Sequence, residues 1–516
     1  MTSVVLTGED LPLPGLVAIA DGAPVLLSDA GMARLAAGQA VLEAALARGD
    51  GVYGTTSMVG AFKDNPVAPE DRPNYALRLA QSHCLGVGAA LPVRVVRAAM
   101  AARLNALLGG HTGASPGLAH GLRDLLNAGI TPIVPEYGSI GCADVGLMGH
   151  VGAALMGEGQ ALGPEGGAPM AVRILLRRHN LAPMSPGPKD MMSVLSSNAV
   201  GVAGVALVAA ELRARLPLLL GVYSLSCAGF GAFGIPWEAA RRTGMAAEIR
   251  IARFLQRINP PGGWTPRRNL QDPLSFRCMP QIGGAFLATL DRVEIALAHG
   301  LARCDDNPIL LDGRAMTSGA SLPLTLALDA QALVLALCHY VRGVLGRILA
   351  LCREDLSGLP RNLTFDPGRQ VAFGAATKLA ADLSTAILRE STPASLYQVP
   401  VANGFEDEAS YLPSIARALR LQCTLLHPLV ALEAMAARQA VRLSGATPGG
   451  LAGEIMARLA CDTPWLDDGG AVADAVARAE TALAAVAGRL AADPAPEFRH
   501  PDPAPAPIAE RTHEDA

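Results

Sequence analysis

The 516-residue sequence has few aromatic residues, few charges and no clustered cysteines. Aromatic residues make up 4% of the chain and charged residues 17%, whereas hydrophobic residues reach 51%. A chain this apolar cannot be disordered throughout, because disorder requires low hydrophobicity and high net charge. The formal net charge of -4 also excludes the basic surface that nucleic-acid binding requires. We therefore expect a folded protein that binds no nucleic acid.

The cysteines and the N-terminus carry no metal, redox or export motif. None of the 9 cysteines forms a CxxC pair, so the sequence predicts no zinc knuckle, no redox site and no metal ligands. The N-terminal residues lack the basic start of a secretory signal and contain Glu9 and Asp10. We expect a cytoplasmic protein whose thiols stay reduced.

Two apolar stretches are long enough to raise the question of a membrane. The first lies between residues 198 and 237 and is interrupted by Glu211 and two arginines. The second, residues 324–352, contains Asp329 and two arginines. Because a spanning helix needs about 20 mostly apolar residues, we interpret these stretches as buried core helices and predict no membrane partner.

Long apolar segments of helical periodicity recur after residue 188, at about 190–230, 236–258, 278–303, 321–353, 368–390, 408–442 and 471–492. Leu337, Tyr340 and Val344, for example, recur at the spacing of one helix face. The sequence contains no GxGxxG after a strand, no P-loop, no HExxH and no GxSxG, the motifs of nucleotide-binding, metalloprotease and hydrolase sites. We predict an all-α fold. Its predicted parts are a loop-rich active-site region (1–190), a central bundle of long helices (191–492) and a Pro-rich disordered tail (493–516).

Short polar motifs interrupt the apolar segments in a characteristic order. Such clusters mark candidate sites, because buried polar groups must be paired. They are Tyr53-Gly54, SHCLGVG (82–88), EYGSIG (136–141) with Asp144 and His150, ALMGEG (154–159), QDPLSFRCMPQ (271–281), Asn307-Pro308, PAS (393–395) and Glu406-Asp407. In wording and order, from about Val52 to Ser410, they resemble the aromatic amino acid ammonia-lyases and aminomutases, the family of histidine, phenylalanine and tyrosine ammonia-lyases.

The resemblance implies an all-helical homotetramer whose active sites are lined by several subunits. It implies a C–N lyase that eliminates an amine from a histidine-like or aromatic α-amino acid. The family performs this 1,2-elimination with a methylidene-imidazolone electrophile made from an internal Ala-Ser-Gly. The nitrogen of the third residue attacks the carbonyl of the first, and the central side chain is lost as water.

The resemblance also assigns roles to individual residues. The catalytic candidates are Tyr53 as general base, Glu406 and Cys142. The substrate-binding candidates are Ser82, His83, Ser196, Asn198, Arg277, Gln281 and Asn307. Each has a simpler interpretation: a packing tyrosine, an inert thiol, a core histidine, a structural ion pair or a solvated acidic face. Two further cations, Lys63 and Lys189, are typical of surface residues, although either could polarise a substrate.

The electrophile segment departs from the family pattern. Its positions hold Gly141-Cys142-Ala143, and the segment between Ser139 and Asp144 is one residue shorter than usual. Cysteine could lose sulfide instead of water. Alanine, however, adds a β-carbon at the third position, where glycine permits the tight backbone. Leu274 and Phe405 replace a tyrosine and a glutamine that are usual in the family.

These departures favour elimination without the electrophile, so the substrate must bring a better leaving group. A trimethylated histidine betaine, with or without a thiol on its ring, would release neutral trimethylamine. Two alternatives remain. One is an ordinary ammonia-lyase or aminomutase whose electrophile forms from Gly141, Cys142 and Ala143. The other is a degenerate member that catalyses conjugate addition or cyclisation, or only binds a small molecule.

Overall fold

The computed structural model describes residues 2–259, 269–366, 368–397, 399–466 and 470–499. The prediction of an all-α fold is confirmed. In chain order the α-helices are α1 (Leu13–Ala20), α2 (Asp29–Arg48), α3 (Arg72–Ser82), α4 (Val93–Leu108), α5 (Pro116–Asn127), α6 (Val145–Leu155), α7 (Val172–Arg178), α8 (Asp190–Leu195), α9 (Ala199–Phe230), α10 (Ile235–Thr243), α11 (Ala246–Ile258), α12 (Leu274–Arg277), α13 (Met279–Ala302), α14 (Leu324–Cys352), α15 (Glu354–Ser357), α16 (Phe373–Arg389), α17 (Leu412–Ser444), α18 (Gly450–Asp462) and α19 (Val472–Ala492).

Short strands pair loops of the N-terminal half with one another, and two further strands form a hairpin after α13. The strands are β1 (Val4–Leu6), β2 (Val25–Leu27), β3 (Val87–Ala90), β4 (Thr131–Pro132), β5 (Pro135–Tyr137), β6 (Gln160–Leu162), β7 (Met170–Ala171), β8 (Ile309–Leu311) and β9 (Arg314–Met316). β1 pairs with β2 in parallel; the antiparallel pairs are β3–β5, β4–β6, β6–β7 and β8–β9. The β3–β5 pair holds the loop after α3 beside the segment that leads to Cys142.

The long helices α9, α13, α14 and α17 form the centre of the molecule. α9 packs along α17, α14 packs on α17 and α13 packs on α14. α9 is apolar on nearly all sides and almost all its residues are buried, as expected of a core helix. It continues unbroken through Arg213, one of the two arginines that interrupt the apolar run in the sequence, because the guanidinium of Arg213 binds Glu294 at 2.5 Å and Asp291 at 2.6 Å.

Two local features differ from the predicted helical segments. The segment 236–258 is two helices, because the backbone turns extended at Gly244, where a β-carbon would lie 2.5 Å from the carbonyl oxygen of Ala240. α18 was not among the predicted segments. It buries a single narrow stripe, Leu451, Ile455 and Leu459, which gives a weak periodic signal.

Two helical segments, Asp190–Phe230 and Leu324–Cys352, are long and apolar enough to cross a membrane by length and composition. The most apolar window of the first is 100% buried inside the molecule, and that of the second is 50% buried. The core helix of a soluble protein passes the same test, so the prediction that no membrane is involved remains a prediction.

The predicted division at residues 190 and 492 is likewise untested. Within the predicted tail, residues 496–498 form a 3₁₀ turn, and the ring centroid of Phe498 lies 4.7 Å from that of Phe254. Glu497 binds Arg257 at 2.8 Å. The docked part of the chain therefore reaches Arg499, and the rest of the predicted tail lies outside the described residues.

Candidate active site

The three predicted catalytic residues lie close together, each on a different loop. Tyr53 follows α2, Cys142 lies between β5 and α6, and Glu406 precedes α17. Burial raises the pKa of the Tyr53 phenol most strongly, and Glu406 and Cys142 both lie near enough to add to the shift electrostatically. The main-chain nitrogen of Gly60 donates a hydrogen bond to the phenol oxygen at 2.8 Å. One subunit thus brings together the candidate base, a thiol and a carboxylate.

The electrostatic surroundings of Tyr53 do not favour its phenolate. Burial is the largest cause that raises its pKa; the hydrogen bond from Gly60 lowers it, and the negative charge of Glu406, together with that of Cys142 in its thiolate form, raises it further. A general base near neutral pH needs a positive charge close by to stabilise its anion. No such charge acts on Tyr53 among the described residues of one chain, so it has to come from the substrate or from another subunit.

The loop that carries Cys142 is held in a strained conformation by hydrogen bonds on both sides of the cysteine. Gly141 has φ +76° and Ala143 φ +56°. The left-handed region costs an L-residue about 1–2 kcal/mol, whereas glycine enters it freely. The Ala143 amide donates to the carbonyl oxygen of Ser321 at 2.9 Å and to Asn198 Oδ1 at 3.2 Å. The Gly141 carbonyl accepts from Ser410 Oγ at 2.6 Å.

These contacts bear directly on the methylidene-imidazolone that the resemblance implies. Its formation requires the nitrogen of Ala143 to attack the carbonyl carbon of Gly141. Here the nitrogen and the carbonyl oxygen are both bound by other segments, and Ala143 carries a β-carbon in a glycine conformation. The three residues therefore fit an intact peptide and fit the cyclised group poorly.

The thiol of Cys142 is kept protonated. Burial raises its pKa most strongly, and the charges of Glu406 and Glu408 raise it further, while a hydrogen bond from Ser321 lowers it. Reactive cysteines have a lowered thiol pKa. The surroundings thus favour the interpretation of Cys142 as an unreactive thiol beside the site.

His83 faces Glu406 from the end of α3. Its Nδ1 lies 2.7 Å from the carbonyl oxygen of Leu79, so Nδ1 carries the proton and a neutral ring offers Nε2 as an acceptor. Burial raises the pKa of Glu406, and the charge of His83 lowers it. Ser82 Oγ donates to the same Leu79 oxygen at 3.1 Å. His83 and Glu406 therefore border the Tyr53 site.

Three other predicted substrate-binding residues are held in a buried polar network. Ser196 Oγ accepts from the main-chain nitrogen of Asn307 at 2.9 Å, and Asn307 Oδ1 accepts from Ser318 N at 3.0 Å. Asn198 binds Ala143 through Oδ1, and its own nitrogen donates to Asp305 at 2.6 Å. Of Ser196 and Asn198, Asn198 is therefore the one bound to the Cys142 loop.

Lys189 lies beneath this network and not on the surface. Its side chain is fully buried, and Nζ binds Asp306 Oδ2 at 2.8 Å. The interpretation of Lys189 as a surface residue is therefore wrong, because its charge is paired inside the protein. Lys63 is partly exposed, pairs with Asp64 at 2.7 Å and lies 6.0 Å from the ring centroid of Phe405.

Arg277 and Gln281 lie on a different part of the bundle. Arg277 ends α12, which packs on α13 and α14. With its oxygen turned towards the guanidinium, the Gln271 amide accepts from Arg277 at 3.0–3.3 Å. Gln281 is exposed on α13. Among the described residues, none of the hydrogen bonds or ion pairs found joins Arg277 or Gln281 to Tyr53, Cys142 or Glu406.

Two residues that hold the Cys142 loop were not predicted. Ser321 contributes its carbonyl oxygen to Ala143 and its hydroxyl to Cys142, and Ser410 binds Gly141. Ser410 stands at the end of the resemblance and Ser321 in a loop that departs from it, so neither gave a signal of its own. Asp144 occupies the N-cap position of α6 without a side-chain cap. Its carboxylate accepts from Ser139 and from Gly201 on α9, at 2.7 and 2.9 Å.

The sequence is similar to those of known proteins along most of its length. The sequence profile described as "Aromatic amino acid lyase" matches residues 11–460. The chain belongs to the aromatic amino acid lyase family. Histidine ammonia-lyase of Streptomyces coelicolor is 33% identical over 468 residues, which cover 87% of this chain and 90% of that protein. The enzyme of Streptomyces griseus is 33% identical over 483 residues, with 89% and 92% covered.

Several solved structures have a fold similar to that of this chain. The ergothioneine-degrading enzyme ergothionase from Treponema denticola, in complex with desmethyl-ergothioneine sulfonic acid, is 28% identical, with a TM-score of 0.89 over 94% of this chain and 99% of that chain. Histidine ammonia-lyase from Trypanosoma cruzi has a TM-score of 0.90 at 22% identity, with 99% and 100% covered, a likeness of fold. The protein is thus an ammonia-lyase-like C–N lyase for a histidine-like, amino-acid-type substrate.

Proposed function

We propose that this lyase eliminates trimethylamine from a histidine-like betaine and works without methylidene-imidazolone. The conformation of the Cys142 loop is the observation that carries the proposal. Ala143 presents its amide to Ser321 and Asn198, so the loop is built as an ordinary peptide. Without the electrophile, a free amino group would leave as ammonia only with difficulty, whereas a quaternary amine needs no activation.

The electrostatics of Tyr53 support a cationic substrate. Burial and the negative charge of Glu406 raise the pKa of the phenol, and the quaternary nitrogen of a betaine would oppose both with a permanent positive charge. The phenolate then takes the β-proton, the Cα–N bond breaks with its electron pair on nitrogen, and a Cα=Cβ bond forms. The products are the acrylate, neutral trimethylamine and protonated Tyr53.

The side chains beside Glu406 suit a methylated nitrogen. Phe405 stands where the family usually has a glutamine, and it is 47% exposed next to the loop of Tyr53. A quaternary nitrogen has no proton to donate to an amide but binds aromatic faces by cation–π attraction. On the ring side, Nε2 of His83 would accept from an imidazole N–H. The Treponema denticola relative, described as an ergothioneine-degrading enzyme, supports a histidine betaine with sulfur on its ring.

The proposal includes a homotetramer whose active sites are shared between subunits. Arg277, the predicted carboxylate clamp, lies on α12, apart from the loops that carry Tyr53 and Glu406. One face of α14 leaves leucines uncovered, with exposures of 39% for Leu324, 56% for Leu328 and 41% for Leu349. Apolar stripes of this kind mark interfaces. A second copy packed there would cover the stripe and bring its own Arg277 to a neighbouring site.

Turnover of matched substrates tests the proposed leaving group. The protein is incubated with histidine, tyrosine, phenylalanine, their trimethyl betaines and the ring-thiol form of the histidine betaine, and acrylate absorbance is followed. We expect turnover of a histidine betaine with one equivalent of trimethylamine released. Ammonia released from a free amino acid would contradict the proposal and favour the ordinary ammonia-lyase. The absence of turnover on every substrate would favour the degenerate member.

The intact mass of the chain tests the missing electrophile independently. We expect the unmodified mass, because the Ala143 amide is held by two acceptors. Cyclisation would remove one water and one hydrogen sulfide. The double change C142S/A143G, which makes the segment Gly-Ser-Gly, serves as the comparison, since it removes both departures at these positions. A wild-type chain that shows the loss would refute the electrophile-free mechanism even if trimethylamine is released.

A further inference from the structure

Three side chains of metal-binding type converge between the long helices, outside the loops of the candidate active site. Cys423 and His427 lie one turn apart on α17, and Glu211 faces them from α9. His427 Nε2 lies 3.0 Å from Glu211 Oε1 and 4.0 Å from Cys423 Sγ. The ligand atoms of all three lie within 4.8 Å of one another.

We propose that Glu211, Cys423 and His427 bind a zinc ion. Zinc accepts thiolate, imidazole and carboxylate together, at about 2.3 Å for sulfur and about 2.0–2.2 Å for nitrogen and oxygen. Tetrahedral ligands at these lengths stand about 3–4 Å apart, close to the separations found here. Small rotations of the side chains bring the ligand atoms onto one ion, and the helices need not move.

A cavity beside these residues provides an entry path and a fourth ligand. It has a volume of about 350 Å³ and is lined by His427, Arg215 and Glu480, among others. Cys423 is buried, whereas Glu211 and His427 are partly exposed. Three protein ligands would thus hold the ion from the inside, and a water molecule in the cavity would complete the tetrahedron. Binding releases the thiol proton, and His427 binds through Nε2 with its proton on Nδ1.

Arg215 is the group that opposes a cation here. Its Nε donates to Glu211 Oε1 at 3.0 Å. Glu480 of α19 lies close enough to interact electrostatically with both Arg215 and His427, so Arg215 has a second carboxylate when Glu211 binds the ion. The thiolate and the two carboxylates supply three negative charges, which balance the single charge of Arg215 and the two of zinc.

The inferred ion would fasten the centre of the bundle and take no part in the elimination. It joins α9 to α17, which pack against each other along most of their length, and the cavity adds α19. No metal motif is visible in the sequence, because Cys423 and His427 resemble any two residues of an apolar helix and Glu211 is far away in the chain. The fold alone brings the three ligands together.

Cobalt binding tests the site on the full-length protein. The protein is stripped with a chelator and titrated with Co²⁺, which reports a thiolate ligand by a near-ultraviolet charge-transfer band, and zinc is then added to displace it. We expect one Co²⁺ per chain, bound with that band and displaced by zinc. The expected loss of affinity in H427Q is more than about 100-fold, since even residues that only support a ligand cost about 10–100-fold.

Matched variants separate this site from other thiols. C423S should abolish the charge-transfer band, whereas C461S, at the exposed cysteine of α18, should retain it. E480Q should also retain it, because Glu480 lies outside the ligand set. Circular dichroism verifies that each variant folds. Should C423S not fold, H427Q decides, because the His427 side chain is 26% exposed. Wild-type protein without the band, or H427Q with unchanged cobalt affinity, would overturn the proposal.

Discussion

Replacing Tyr53 with phenylalanine is expected to lower kcat for the elimination by about 10²–10⁴-fold, the usual contribution of a positioned general base. The change removes only the hydroxyl, whose oxygen accepts from Gly60, and leaves the ring packed against its neighbours. Elimination requires removal of the β-proton, and Tyr53 is the candidate base that lies beside Glu406 and Cys142. Steady-state rates with the histidine betaine measure the effect.

The pH dependence of the same reaction distinguishes a base from a packing residue. Burial and the nearby carboxylate of Glu406 raise the pKa of Tyr53, so at neutral pH the free enzyme holds little phenolate. We expect kcat/KM of the wild type to rise with pH by about tenfold per unit across the neutral range, since kcat/KM reports the free enzyme. The cationic substrate stabilises the phenolate, so kcat should level off at a lower pH.

Tyr75 offers a control of the same chemical kind. Its hydroxyl is buried near Tyr53, and burial raises the pKa of Tyr75 to about 12. Y75F removes an equivalent hydroxyl without removing the proposed base, and it should keep most of the activity and the rising pH profile. If Y53F retained the wild-type rate, or lost activity while a pH profile of the same slope persisted, the base would have to be sought elsewhere.

The sequence predicted the helical bundle and the Tyr53 site for different reasons. Apolar periodicity predicts the long helices directly, because it depends only on local spacing. The proximity of Tyr53, Cys142 and Glu406 followed from the order of short motifs, because loops far apart in the chain carry no local signal that they meet. The structure brings these three together in one subunit, whereas Arg277 ends α12, which packs on α13 and α14.

Other features depend on tertiary contacts and could not be predicted. Alanine itself favours negative φ. The positive φ of Ala143 is stabilised by the hydrogen bonds that its amide donates to Ser321 and Asn198. Lys189 looked like a surface residue because its partner, Asp306, lies far along the chain. Likewise, the contact of Glu211 with His427 exists only because α9 and α17 pack together.

The buried charges beneath the site lead to the largest expected effect on stability. The Asp306 carboxylate lies 2.8 Å from the Lys189 ammonium and 3.2 Å from the Arg103 guanidinium, and all three side chains are fully buried. D306N would keep the shape of the side chain but leave the Lys189 ammonium without a counter-charge. Removing one partner of a buried ion pair costs about 3–5 kcal/mol. We expect this loss in the free energy of unfolding, measured by urea denaturation at matched protein concentration.

An exposed ion pair supplies the comparison, because solvent screens its charges. Arg489 and Glu454 lie 2.6 Å apart, with side-chain exposures of 53% and 42%, and E454Q should change the unfolding free energy by about 0–1 kcal/mol. Asp305, the neighbour of Asp306, binds Asn198 N, and Asn198 in turn holds Ala143. Partial unfolding around Asp306 should therefore loosen the Cys142 loop and lower turnover as well. Equal shifts of the urea midpoint in D306N and E454Q would contradict this prediction. They would mean that Lys189 forms another ion pair and that the buried network does not stabilise the site.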